Sequence, residues 1–538
     1  MANLSFFDSI IIFLYFLLVL AVAFYFSRRR DENTRDYFLA GRGVGWFAIG
    51  ASLFATNISS EHFIGLAGSG ASHGLAVGSF EWMAVFWLIL LGWVFAPLFL
   101  KAGIYTVPQF LEKRFGTPVK MYLASISIIA YILTKISVTL FAGGMVLRYV
   151  LGWDIYTSSL VMVLLTGIYT IVGGLSAVIY SSVLQTFFLI GGTLLVTILG
   201  LQEVGGFSAL RASLPADYFS MFKPAADPNF PWTGILFGAP ILGVWYWCTD
   251  QYIVQRVLGA KNVEAARTGT IFAGFLKLLP VFLLVLPGLI AVALFPGTTG
   301  DTAFPTLLAS SILPAGVKGL VIAALLAAMM SSLASFFHST ATLFTMDFYR
   351  HFNPKASERK LVLVGRLATT GIVVSALLWV PLTKLISSNL YIYLQSVQAY
   401  IAPPITALFL IGIFWKRING NGALCSLIGG GLLGAFRLIL EISKNTGLGV
   451  PSPLEWVVGM NFLHFAILLF LVSVGILVVG SVLSPANRYT AILTWPGDFS
   501  LRAAGVEFGS RMISTNRLSM ALSILLIFLV VGFWSLFV

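Results

Sequence analysis

The sequence predicts an all-α polytopic membrane protein with about fourteen transmembrane helices, and three observations carry that expectation. Hydrophobic amino acids make up 58% of the 538 residues, charged ones only 10%, and mean hydropathy is +0.95. A soluble protein is about a quarter charged. Apolar runs of about 20 residues, the length that crosses a bilayer as a helix, recur from one end to the other. Lys and Arg also gather in alternate loops. The formal net charge of +12 therefore reflects membrane orientation, and no nucleic-acid partner is expected.

In chain order, spans are expected near 8–28, 44–73, 75–101, 118–151, 155–173, 174–201 and 233–257. The remainder lie near 264–296, 315–349, 359–382, 387–415, 420–442, 456–484 and 518–538. The first has an acidic start and is followed by Arg28, Arg29 and Arg30, so a retained helix is expected and not a cleaved signal peptide. With the N-terminus outside, these arginines fall in the cytoplasm with Arg35, Arg42, Lys113, Arg114, Arg256, Lys261 and Arg267. The same phase puts Arg350, Lys355, Arg359, Lys360, Lys416, Arg417, Arg488, Arg502, Arg511 and Arg517 inside. The opposite loops hold few, among them Arg211, Lys223, Lys384 and Lys444. The expectation is a multi-pass protein of the inner or plasma membrane with both termini outside.

Pro108 to Phe115 reads as a short amphipathic helix on the inner surface. Loops near 203–230 and 485–517 are polar and rich in Gly and Pro, and neither reads as a folded domain. Cys248 and Cys425 lie in apolar segments, so no disulfide framework is expected.

Two spans are interrupted. Ala51 to Gly70 carries Thr56, Asn57, Ser59, Ser60, Glu61 and His62 in near succession, then Gly65, Gly68 and Gly70. Hydrocarbon cannot satisfy free backbone groups, so such a segment must line a cavity or lie inside protein. A helix merely kinked, its hydroxyls bonded to their own carbonyls, fits the same residues. The second interruption has Gly238, Pro240 and Gly243 ahead of Trp245-Tyr246-Trp247-Cys248-Thr249-Asp250-Gln251. If each break opens a five-helix unit, the units cover 44–201 and 233–415, the arrangement of inverted repeats around a mid-membrane site. A leading helix (8–28) and three trailing helices with loops (420–538) complete a single membrane domain.

An ionised side chain at the bilayer centre costs about 2.5–3.5 kcal/mol on insertion scales, so each needs a partner or a function. Glu81, Lys135, Asp250 and Lys277 fall at that depth, with His62, Gln395 and Gln398 as further polar groups. Four charges of mixed sign plus amides are expected to line a wet cavity suited to a neutral polyhydroxy ligand. Trp245, Tyr246 and Trp247 fit either a flat face for a sugar ring or an interfacial aromatic belt. Ser331, Ser335 and Ser339 are four apart on one helical face, with Ser332 beside them. Such hydroxyls either bond to the preceding turn or, facing carbonyls freed at Ala55–Ile58, supply oxygen ligands to a hard cation such as sodium.

The stretches DYFLAGR, GASLFATNISSEHFIGLAGSG, FEW, YILTKIS, GGLSAVIY, WYWCTDQYIVQR, KLLP, MMSSLAS, TLFTMD, APPI, IFWKR and GAL occur in this order between about Asp36 and Arg437. On these the chain resembles the sodium/solute symporter family, and within it the sodium–glucose cotransporters. The resemblance implies a ten-helix inverted-repeat core with discontinuous helices at a midplane site. It implies sodium as coupling ion, a small sugar as substrate, no cofactor, no obligate protein partner, and a symporter in place of an enzyme. Sodium would be held by the carbonyls of Ala55, Ile58 and Ala328 and the hydroxyls of Ser331 and Ser332. Substrate contacts would fall on Asn57, His62, Glu81, Tyr246, Trp247, Lys277, Gln395 and Gln398. Tyr246 would be the inner gate, and Leu66, Phe80 and Tyr391 the outer one.

Three departures bear on detail. Ser181-Ser182 stand where sugar-transporting relatives usually carry Thr-Asp, which argues against a second sodium. Thr139 replaces an acidic residue of some animal relatives, and Gly243 and Gln398 occupy positions that vary with substrate. Rival substrates are myo-inositol, a sialate-like acid or an amino acid. A channel or sensor on the same fold is a further alternative, and no nucleophile–base pair points to an enzyme.

Overall fold

The computed structural model describes residues 4–27, 33–379, 390–445, 447, 449–485 and 510–537. Arg28–Arg30, Lys384, Arg488, Arg502 and most of the loop near 485–517 therefore lie outside the described residues. Within them the chain is helical, with isolated bridges between Val44 and Ala260 and between Lys223 and Pro231.

Eleven described helices are long and apolar enough to cross a membrane. Three of the fourteen expected segments do not appear as separate helices of that kind, each for a local reason. The spans near 155–173 and 174–201 form the continuous segment Ile155–Val204, in which two helices meet at a kink at Gly174 (φ 53°, ψ −155°), where the spans are expected to divide. That conformation is open to glycine, and a Cβ there would crowd the Tyr37 carbonyl and ring. The span near 44–73 splits into helix Trp46–Asn57, too short to cross, and a second part that continues through His62–Ala102. The segment near 233–257 is divided into Trp232–Phe237, Ala239–Val244, the π-helical turn Trp245–Thr249 and Gln251–Leu258.

The two interruptions share a backbone geometry. Ile58 (φ −77°, ψ 113°) ends helix Trp46–Asn57, and Asp250 (φ −77°, ψ 124°) precedes Gln251–Leu258. Each places one residue in extended conformation between helices, which frees carbonyls that a continuous helix would use. A π-helical turn adjoins each break, at His62–Leu66 and at Trp245–Thr249. Such turns concentrate at functional sites.

Helix Val317–Leu343, which carries the serines, sits at the centre. Of its most apolar stretch 94% is buried, against 17% for Phe6–Phe26 and 28% for Phe462–Leu483, which present Leu, Ile, Val and Phe outward to lipid. The long helix Ile155–Val204, helix Trp46–Asn57 and helix Phe6–Ser27 pack against it. Its N-terminus is capped from another helix. Asp8 Oδ1 accepts from the Gly316 and Gly319 amides at 2.8 and 2.6 Å, and Asp8 Oδ2 accepts from Ser5. Gly316 has no side chain to cap with, so the acidic residue of the first helix fixes where the serine helix begins. The amphipathic segment forms helix Val107–Phe115, capped by Thr106, whose hydroxyl also donates to Asp347. Cys248 and Cys425 are free thiols.

Candidate functional site

A cavity opens between the two breaks. It holds about 580 Å³ of empty space, of which about 70 Å³ can take the centre of a water molecule. Asn57, His62, Phe80, Glu81, Tyr246, Trp247, Lys277, Tyr391, Gln395 and Gln398 all line it. Nearly 350 residues of chain separate the first from the last, so the breaks and the two flanking helices gather them.

The polar groups form one network. Lys277 Nζ donates to Asn57 Oδ1 at 2.6 Å and pairs with Glu81 Oε2. Asn57 Nδ2 donates to the Tyr246 hydroxyl at 2.7 Å. His62 Nδ1 accepts from the Ser59 amide at 3.3 Å, which leaves Nε2 as the ring's N–H, 3.9 Å from Glu81 Oε1. Gln395 Nε2 donates to the Tyr391 hydroxyl at 3.1 Å. At one end of the cavity the Phe80 and Tyr391 rings meet edge to face, 6.1 Å between centroids. Leu66 is buried in the same π-helical turn as His62 and does not line the cavity.

The four buried charges do not share that space as expected. Glu81 and Lys277 line it, whereas Lys135 and Asp250 form a separate buried pair. Lys135 Nζ stands 3.8 Å from Asp250 Oδ2, donates to the Tyr252 hydroxyl at 3.3 Å, and lies 4.3 Å from the Tyr246 ring centroid. Tyr131 donates to the other Asp250 oxygen. The break at Asp250 turns its carboxylate toward helix Thr117–Ala130 and its π-helical continuation, so the pair backs the aromatic wall.

The cavity also takes in residues that the sequence did not single out for substrate. Glu61, buried beside His62 with its carboxylate 3.6 Å from Nδ1, lines it, as do Met83, Ala84 and Trp87. Trp87 belongs to an apolar run in which nothing local marks it as facing a cavity. Its indole lies where a Cβ on residue 243 would stand, so Gly243 makes room for it. Pairing a large aromatic with a distant glycine leaves no signal in one sequence.

Below the cavity the serine helix faces the first break. Ser332 Oγ donates to the carbonyls of Thr56 (3.1 Å) and Ile58 (3.4 Å). Ser331 Oγ instead meets Ser182 Oγ at 2.9 Å. Ser335 Oγ donates back to the Ser331 carbonyl, touches Thr56 Oγ1 at 3.2 Å and receives a hydrogen bond from buried Arg256. Ala55 and Ala328 are wholly buried in the two facing helices. Hydroxyls and backbone carbonyls thus meet across the break.

Broken membrane helices enclosing a satisfied polar cavity, with an oxygen-rich junction at its edge, define a multi-pass membrane protein of the secondary-transporter type. Residues 37–430 match the model of the sodium:solute symporter family, and the chain belongs to that family. It is 41% identical over 534 residues to sodium/glucose cotransporter 4 of Mus musculus, covering 91% of this chain and 77% of that one. It is 41% identical to sodium/glucose cotransporter 1 of Oryctolagus cuniculus (88% and 78% covered) and 40% identical to a sodium/mannose cotransporter of Bos taurus (91% and 89% covered). A solved structure of a Na+-coupled sialic acid symporter in its substrate-bound outward-open state superposes with a TM-score of 0.77. That match covers 90% of this chain and 99% of that one, at 23% identity, and shows the shared fold.

Proposed function

We propose that this protein is a secondary active symporter in which inward sodium movement drives uptake of a hexose-like sugar by alternating access. One observation carries the reading. A cavity walled by amide, carboxylate, ammonium and imidazole groups adjoins, through Asn57 and Ile58, a helix break faced by Ser332. Two acids, Glu61 and Glu81, line it with one lysine, Lys277, which pairs with Glu81; that balance disfavours an anionic ligand.

In this reading Asn57, His62, Glu81, Lys277, Gln395 and Gln398 exchange hydrogen bonds with sugar hydroxyls. Trp247 closes the wall beside Lys277, and Tyr246, tethered by Asn57, lies across the inward path. Phe80 and Tyr391 close the outward path, with Leu66 behind them. Sodium replaces the hydrogen bonds of Ser332, using its hydroxyl, that of Ser331 and the carbonyls of Ala55, Ile58 and Ala328; hard cations take such oxygen ligands. Ion binding then stiffens the broken helix that carries Asn57, and so prepares the sugar site. Residues 44–201 and 233–415 serve as inverted repeats, and both termini face outward. The names of the relatives support a hexose.

Isothermal titration with glucose, galactose, mannose, myo-inositol and sialate, in sodium and in choline, tests the assignment. Binding of at least one hexose in sodium alone is expected. Binding of sialate or inositol without any hexose would overturn the substrate class.

A further inference from the structure

Helix Leu390–Phe414 has two working faces. Tyr391, Leu394, Gln395 and Gln398 line the polar cavity, whereas Tyr393, Val397, Tyr400, Ile401 and Ile405 line a second one on a neighbouring face. The helical period sets these groups about a third of a turn apart. This second cavity is far larger: about 620 Å³ can take the centre of a water-sized sphere, against about 70 Å³ for the first.

Its other walls come from the helical stretch 117–136 and helix Gly420–Asn445. Its rim is open to the hydrocarbon, with Ile129, Leu133 and Ile442 between 43% and 53% exposed. The polar atoms in its lining are largely spent. Tyr122 donates to the Leu427 carbonyl at 2.8 Å, Tyr400 to Glu441 at 2.6 Å, and Thr134 to the Ala130 carbonyl at 2.5 Å. Water entering there would find few partners, and apolar cavities of this kind stay dry. What fills it must be hydrocarbon arriving from the bilayer, with which the rim is continuous. Flexible methylene chains fit an elongated groove between three helices.

We propose that this groove binds a phospholipid acyl chain, and that its occupancy tunes substrate affinity through the helix it shares with the polar cavity. The second wall adds to the coupling. Thr134 borders the groove, while its neighbours Tyr131 and Lys135 hold Asp250, and Lys135 lies over Tyr246. A chain wedged here therefore backs one helix that lines the cavity and one that supports the aromatic wall behind it. The tuning half rests on the sugar-symport reading; the binding half does not.

The test uses the full chain in phosphatidylcholine vesicles doped with a phospholipid carrying a diazirine at mid-chain. After irradiation, label is expected to concentrate on peptides around Ile129–Leu133, Tyr393–Ile405 and Ala435–Ile442, severalfold above Phe6–Ser27 and Phe462–Leu483. Ala435→Trp, which fills the groove from its exposed side, should remove that excess and shift the apparent KM for sugar severalfold. Leu133→Trp fills it from the opposite wall and serves where the first variant is not recovered. Even labelling of all lipid-facing helices would overturn the proposal, as would loss of label with unchanged KM. Displacement of the label by equimolar cholesterol would replace the acyl chain with a sterol and overturn it too. Wild-type vesicles without sodium-driven uptake would refute the transport reading, and the labelling pattern alone would then decide the site.

Discussion

Ser332 Oγ reaches the Ile58 carbonyl at 3.4 Å, across the gap where helix Trp46–Asn57 ends. The same hydroxyl reaches Thr56 at 3.1 Å, so one side chain spans the carbonyls that the break sets free. Both helices are buried there, and no bulk water competes. In the proposed ion site, removal of the hydroxyl would delete an oxygen ligand and leave the carbonyls short of a donor when the ion is absent. Interactions of a polar group with a charge contribute about 1.5–3 kcal/mol, so Ser332→Ala is expected to raise the sodium needed for half-maximal uptake about ten- to hundredfold. Uptake measured against sodium concentration gives the value directly. An unchanged requirement would take Ser332 out of the ion site.

Sugar affinity is expected to fall when either Gln395 or Glu81 loses its hydrogen-bonding role. Among the described residues Gln395 bonds to the Tyr391 hydroxyl, and it lines the cavity. Glu81 holds Lys277, so Glu81→Gln is the gentler change, keeping an acceptor while removing the charge. Losing one partner of a buried hydrogen bond costs about 1–3 kcal/mol, or roughly 5- to 150-fold in affinity. Titration in saturating sodium checks both variants, with Gln395→Ala as the second. Wild-type affinity in both would move the substrate elsewhere.

Asp8 links the first helix to the core, and its removal should be felt as stability. Asp8→Ala strips the cap from the Gly316 and Gly319 amides of the serine helix. A lost cap costs about 0.5–2 kcal/mol. The thermal midpoint in detergent is expected to drop by a few degrees, with Asp8→Asn, which keeps an acceptor, falling less. Equal midpoints for all three proteins would show that the cap contributes nothing.

Stoichiometry follows from the surroundings of Ser331. Its hydroxyl meets Ser182, and the neighbouring Ser335 is held by the Arg256 guanidinium. A second cation here would face a neutral hydroxyl and a fixed positive charge, without a carboxylate to draw it in. One sodium per sugar is expected. One charge crossing about 100 mV gives roughly 2.3 kcal/mol, and a tenfold sodium gradient adds about 1.4 kcal/mol. Together they support several-hundred-fold accumulation. Reversal-potential measurements return the coupling number, and a ratio of two would contradict this account.

The break and its polar residues were legible because hydrocarbon tolerates neither free backbone groups nor lone charges. That rule alone singles out Asn57, Glu81 and Lys277, which the fold joins in one network. It identifies residues that need partners without naming the partners. Lys135 and Asp250 accordingly looked like cavity lining and turn out to face each other as an ion pair behind Tyr246. Trp87 was hidden because an apolar aromatic in a span faces lipid or protein with equal ease. The expected division between 155–173 and 174–201 coincides with the kink at Gly174, where two helices meet within Ile155–Val204. The cap on the serine helix depends on a residue about 310 positions away, beyond any local pattern.

Sodium-driven accumulation in proteoliposomes tests the central claim most directly. Purified protein is reconstituted, radiolabelled hexose is supplied outside, and an inward sodium gradient is imposed with the interior negative. The account predicts sugar rising inside well above its external level, then leaking back as the gradient is collapsed with a sodium ionophore. Replacement of sodium by potassium should leave only passive entry. Equal uptake in the two salts, or uptake that never exceeds the external concentration, would contradict it.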